Sequence, residues 1–146
     1  MINLGVMGRC GSGFVFCFIL FASSTSSRAQ ISLPVMPLPA ASVQGTGSLF
    51  IEPGLQIVFE GYTEPRLERA QARFFNVLSR ETGVPTIPAR TSKEVKFIIK
   101  TAGPSAQVQQ LGEDESYHLE VTATGVLLTA PNPLGVLHGL QTFLQL

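Results

Sequence analysis

Cysteine is missing from all but the first seventeen residues. Cys10 and Cys17 are the only two, and both lie in the stretch read below as a leader. A mature chain without that stretch has no thiol, which excludes disulfides and thiolate metal sites. The two histidines, His118 and His138, are far apart in the chain and have no cysteine beside them, so they do not make a zinc constellation. Excess charge of either sign is absent too, with ten basic and ten acidic residues. Losing Arg9 and Arg28 with the leader leaves eight basic against ten acidic residues. That balance gives no electrostatic footprint for nucleic acid or an anionic membrane. There is no G-x-S-x-G elbow, phosphate loop, dinucleotide glycine pattern or internal repeat. A chain of 146 residues has room for one domain.

Long hydrophobic runs are also lacking. The most apolar segment, residues 14–22 (FVFCFILFA), is well short of the roughly 20 residues a membrane span requires. Arg9 precedes it as a positive n-region, and Ser27-Arg28-Ala29 follows with small residues at the −3 and −1 positions. This pattern predicts a signal peptide over residues 1–29, cleaved after Ala29, and a secreted or periplasmic mature chain beginning at Gln30. No cysteine follows the apolar run to take a lipid anchor. The n-region is long, and Met7 is an alternative start to Met1.

What the chain does contain is the patterning of a small domain. Residues 31–39 (ISLPVMPLP) are proline-rich and predict an extended lead-in. Residues 48–52 and 55–60 are two short strand candidates, with Pro53-Gly54 as the turn between them. Residues 63–82 predict a helix capped by Thr63, with Glu64 at the positive end of the dipole and Pro65 in the first turn. Leu67, Ala70, Phe74, Val77 and Leu78 form its apolar stripe, and Gly83 ends it. Arg66, Arg69, Arg73 and Arg80 invite an anion-binding reading. Their interleaving with Glu68 and Glu81 favours a solvated face instead. After a loop over residues 84–92, residues 94–101 (EVKFIIKT) alternate as a strand with Val95, Phe97 and Ile99 inward. Residues 102–114 are a polar loop without periodicity.

The C-terminal stretch is the most informative. Tyr117, Leu119 and Val121 alternate with His118, Glu120 and Thr122, as in a strand with one buried face. Ala123-Thr124-Gly125 reads as a hairpin turn, with glycine where positive φ is often needed. Val126, Leu128 and Ala130 resume the alternation until Pro131, which has no N–H to give a ladder. Asn132-Pro133 starts a helix with an N-cap and a ring at N1. Leu134, Leu137, Leu140 and Leu144 make its stripe. Val136, Phe143 and Leu146 widen the apolar arc and predict a second, wet edge suited to docking. Gly135 and Gly139, about one turn apart, each cost about 1 kcal/mol against alanine. They predict close approach of this helix to the sheet. The whole implies an α+β domain.

Candidates for chemistry are few. Glu113-Asp114-Glu115 is the one acidic cluster, and adjacent carboxylates do general acid–base work in many sites. Here they follow Gly112 and lead into a strand, the context of a solvated loop. His118 falls on the polar face of its strand, and His138 on the polar side of its helix with Gln141 and Gln145. No catalytic, substrate-binding or metal-ligating residue is assigned.

One resemblance goes further. Glu115-Ser116-Tyr117-His118-Leu119-Glu120-Val121, Gly125-Val126, and residues 135–146 (GVLHGLQTFLQL) resemble the end of the N-terminal domain of β-N-acetylhexosaminidases, glycoside hydrolase family 20. The Pro34-x-x-Pro37-x-Pro39 lead-in matches that domain's opening in layout. The resemblance implies that residues 30–146 form a two-layer α+β accessory domain, a mostly antiparallel sheet with two helices on one face. It implies no cofactor and no catalytic residue. That family's Asp-Glu pair lies in a (β/α)8 barrel, whereas the acidic run here aligns with the start of the Tyr117 strand. The expected partner is such a barrel, missing from this chain and lost, split off or encoded downstream. Alternatives are a free-standing module docking on a glycosidase in trans, the corresponding domain of a family 84-type glycosidase, and an unrelated small binding domain of similar layout. Sugar and linkage are not implied.

Overall fold

The computed structural model describes residues 33–85 and 95–146. The expected signal peptide over residues 1–29, its expected cleavage site and most of the 84–92 loop lie outside the described residues. The elements are β1 (Gln56–Gly61), α1 (Pro65–Thr82), β2 (Lys96–Thr101), β3 (His118–Thr122), β4 (Gly125–Ala130) and α2 (Pro133–Phe143).

The strands form one sheet in the order β1-β2-β4-β3. β1 pairs parallel with β2, β2 parallel with β4, and β3 antiparallel with β4. The α+β class holds, but the sheet is mixed rather than mostly antiparallel. The reason lies in the connection between β1 and β2. A parallel neighbour requires a crossover of a dozen or more residues, and the 18-residue α1 supplies it. β3 then takes the edge, and the hairpin inserts β4 between β3 and β2.

Both helices cover one face. Phe97 and Ile99 of β2 and Val126, Leu128 and Ala130 of β4 meet Leu67, Ala70, Phe74 and Leu78 of α1 and Val136, Leu140 and Phe143 of α2 in a single core. At its centre are the rings of Phe74, Phe97 and Phe143, with centroids 5.1 to 5.7 Å apart in edge-on or tilted pairs. Aromatic pairs at such distances add about 0.5–1.5 kcal/mol beyond their buried area. On the other face the register aligns Val58, Ile98, Leu127 and Glu120 in one row, with Glu60, Lys100, Thr129 and His118 in the next.

Several local expectations change. Residues 48–52 are not a strand, although Leu49 and Ile51 pack against the core while Phe50 is exposed. Their burial alternates, but they join no ladder. The turn at Pro53-Gly54 is present, with Gly54 at φ 113°. Thr63 does not cap α1. The N-cap is Glu64, which is extended and makes no side-chain bond to the helix N-terminus. Gly83 ends the helix at φ 71° and donates its N–H to Ser79. Val77 is half-buried rather than core.

The hairpin turns on Ala123 and Thr124 alone, and Gly125 already belongs to β4. Gly125 has no positive φ. A Cβ there would stand 2.8 Å from the Lys96 carbonyl oxygen, so glycine is needed for close approach of the neighbouring strand. Leu119 is half-buried and Val121 exposed, because β3 is an edge strand only partly covered.

α2 begins as expected. Asn132 Oδ1 accepts from the backbone N–H of Leu134 at 2.8 Å and of Gly135 at 3.4 Å, with Pro133 at N1. Its stripe, however, is broader than the leucines indicate. Val136 and Phe143 are buried, while Leu137 and Leu144 are only half-buried. The wet second edge expected at Val136 and Phe143 does not exist, because α1 and the sheet enclose that side. Only Leu146 stays exposed. The helical glycines behave as read. A Cβ on Gly135 would strike the Ser116 carbonyl oxygen, and one on Gly139 would strike the Leu128 side chain.

Candidate functional site

The loop 102–114 and the residues just after it are where the sequence concentrates candidate chemistry. Arg66, in the first turn of α1, anchors this loop. Its guanidinium donates to Ser105 Oγ at 3.0 Å and to the carbonyls of Ala106 and Gln107 at 3.0 and 2.9 Å. Its Nε lies 3.2 Å from the Glu64 carboxylate. Arg66 is therefore half-buried structural hardware rather than part of the solvated face. Arg69, Arg73 and Arg80 are exposed as that reading expects. Sequence reasoning missed Arg66 because its partners lie about forty residues away, in a segment without periodicity. Its place in the first turn was visible, but its targets were not.

Two residues of the acidic cluster, Asp114 and Glu115, have structural tasks, while one carboxylate oxygen of Glu113 is buried without a hydrogen-bond partner. The Asp114 backbone carbonyl accepts from Asn132 Nδ2 at 2.7 Å, joining the loop to the cap of α2. Its carboxylate accepts from the Ser116 N–H at 2.9 Å. The Ser116 side chain, and then that N–H, hold the Asp114 carboxyl below the usual carboxylate range. Glu115 accepts from Gln109 Nε2 at 2.7 Å and lies 3.2 Å from His138 Nε2, the latter pair about half exposed. The structure thus brings Glu115 and His138 together. It leaves His118 apart on the open sheet face. Among the described residues no group of three His, Cys, Asp or Glu side chains is placed to hold a metal.

A shallow depression of about 320 Å³ lies at the carboxyl ends of the parallel strands, lined by Glu60, Lys100, Thr101 and Thr129 among others. This is where open parallel sheets commonly take ligands. Its one carboxylate, Glu60, sits 3.0 Å from Lys100 Nζ. Proton transfer to a leaving group and stabilisation of the developing charge require two suitably opposed groups. A lone, ion-paired and solvent-open carboxylate provides neither.

The polar groups of this region therefore hold the fold together, and the comparisons with known proteins agree with an accessory role. The family model described as beta-acetyl hexosaminidase like matches residues 35–146. The chain belongs to this family. It is an N-terminal accessory domain of the glycoside hydrolase family 20 type. Beta-hexosaminidase subunit B2 of Dictyostelium discoideum is 25% identical over 133 residues, which is 88% of this chain and 23% of that protein. Chitooligosaccharidolytic beta-N-acetylglucosaminidase of Ostrinia furnacalis is 31% identical over 97 residues, covering 63% of this chain and 16% of that protein. The X-ray structure of Flavobacterium johnsoniae chitobiase superposes with a TM-score of 0.61 at 28% identity, over 71% of this chain and 16% of that one. The chain thus spans less than a quarter of each of these relatives.

Proposed function

We propose that residues 30–146 are the accessory domain of an exported β-N-acetylhexosaminidase-type glycosidase, and that this chain alone hydrolyses no N-acetylhexosaminide. Its task is to pack against a (β/α)8 barrel, joined in cis or met in trans. The observation that carries the reading is the commitment of Asp114, Glu115 and Glu60 to structure. Asp114 and Glu115 are tied to Ser116, Gln109 and His138, and Glu60 to Lys100. Substrate-assisted hydrolysis requires a positioned acid and a second carboxylate inside a walled pocket that excludes water. Exposed apolar side chains that an isolated domain has no use for support the packing role. Met36, Leu38 and Leu146 form one set, and Val108 and Leu111 on the Arg66-held loop form another.

The purified chain, assayed with an aryl N-acetylglucosaminide, is expected to show no turnover above buffer. Turnover that co-purifies with the chain and disappears in Glu115→Gln overturns the accessory reading. Export is tested separately by the mass of the secreted or periplasmic species, expected to begin at Gln30. An intact Met1 or Met7 terminus overturns it. The DNA 3′ of the Leu146 codon separates the two arrangements. A barrel reading frame there supports the cis form, and a long intergenic gap supports docking in trans.

A further inference from the structure

We propose that Gln145 is a latch. Its side-chain amide straps the proline-rich lead-in to the turn that closes α2, so that the order of the lead-in around Met36 depends on that turn. The amide makes three bonds. Oε1 accepts from the Met36 backbone N–H at 2.8 Å, and Nε2 donates to the Met36 carbonyl at 3.0 Å. Nε2 also donates to the Gln141 carbonyl at 3.2 Å, satisfying a group that the helix end leaves free. One primary amide thus reads both polar groups of a single backbone residue, as a neighbouring strand would. Only Asn and Gln carry an acceptor and two donors in one planar group.

The lead-in has no other regular pairing. No strand or helix includes residues 33–55, and none of their backbone groups joins the sheet ladders. Two points hold its beginning: Val35, buried to 2% exposure, and the latch at the next residue. An apolar anchor fixes position but not direction. The paired bonds at Met36 fix both, which sets the course of the chain toward exposed Leu38. The latch bonds within the chain and needs no partner, so it stands or falls independently of the glycosidase reading.

The test is amide hydrogen exchange on the full chain. In the wild type the Met36 amide hydrogen is expected to be protected although its side chain is exposed. Gln145→Leu keeps the bulk and removes all three bonds. Gln145→Glu keeps an acceptor but, ionised at neutral pH, places a carboxylate against the Met36 and Gln141 carbonyls. Both variants are expected to lower Met36 protection at least tenfold while Leu128 in β4 keeps its own. Gln141→Leu, on the same helix end with its backbone carbonyl intact, is expected to leave Met36 unchanged. Unchanged Met36 protection in Gln145→Leu overturns the latch, showing that Val35 suffices. An equal loss at Leu128, or in Gln141→Leu, overturns it in favour of general loosening.

Discussion

The two helices share one sheet face and one core, yet they are built on different rules. α1 is long and two-sided. It buries Leu67, Ala70, Phe74 and Leu78 and leaves Glu68, Arg69, Arg73 and Arg80 in water. α2 is short and almost entirely enclosed, with Leu134, Gly135, Val136, Gly139, Leu140, Thr142 and Phe143 buried. α1 has an N-cap without a side-chain bond, and α2 has an asparagine that serves two N–H groups and the loop as well. An amphipathic helix tolerates change over its wet half. An enclosed helix is constrained by contact on nearly every side, so the same kind of substitution should cost more in α2.

The largest effect is expected where the helices meet. Phe143→Ala removes a ring packed on Phe74 and Phe97 and should destabilise by about 3–5 kcal/mol in urea melts. A loss below about 1 kcal/mol would show that the ring cluster does not join the helices. Next come the glycines. Gly135→Ala drives a methyl into the Ser116 backbone carbonyl, which cannot swing aside, and should cost about 2–3 kcal/mol despite the better helix propensity. Gly139→Ala meets only the Leu128 side chain and should cost less, about 1–2 kcal/mol. Larger Gly139→Leu belongs at about 1–3 kcal/mol. A stabilising result for either alanine variant would remove close approach as the reason for the glycines.

Cap removal should be smaller and one-sided. Asn132→Ala is expected to cost about 1 kcal/mol, and Glu64→Ala, which loses no cap bond but the partly buried pair with Arg66, about half a kcal/mol. Equal losses would erase the contrast between the helix starts. The smallest expected effect is a titration. The Ser116 hydroxyl, and then its N–H, hold the folded carboxyl of Asp114 below the ordinary aspartate value of 3.8. The Ser116 contacts therefore stabilise above that value and are lost as pH falls through the folded pKa. NMR titration should place the midpoint below 3.8, and Ser116→Ala should move it back up. A wild-type midpoint at or above 3.8 would show that Ser116 does not hold the carboxylate.

The sequence by itself determined the elements whose signals are local. The period of Leu67, Ala70, Phe74 and Leu78, the Asn132-Pro133 start, Gly83 as a stop, and the alternation around Phe97 and Val126 each depend on neighbours within a turn or two. The hexosaminidase resemblance was legible for the same reason, since its motifs run through one continuous stretch. Two local signals misled. Residues 48–52 are apolar enough for a short strand but have no ladder to join, because pairing is decided by what lies alongside. Thr63 had the chemistry of a cap, but the helix begins two residues later. Only the tertiary structure decided that β1, β2 and β4 run parallel, that α1 and the sheet enclose Val136 and Phe143, and that Arg66 and Gln145 bond residues some forty and one hundred positions away. Periodicity records which side of an element is apolar. It carries no term for which distant backbone carbonyl a guanidinium or an amide will find, because that depends on how the elements pack.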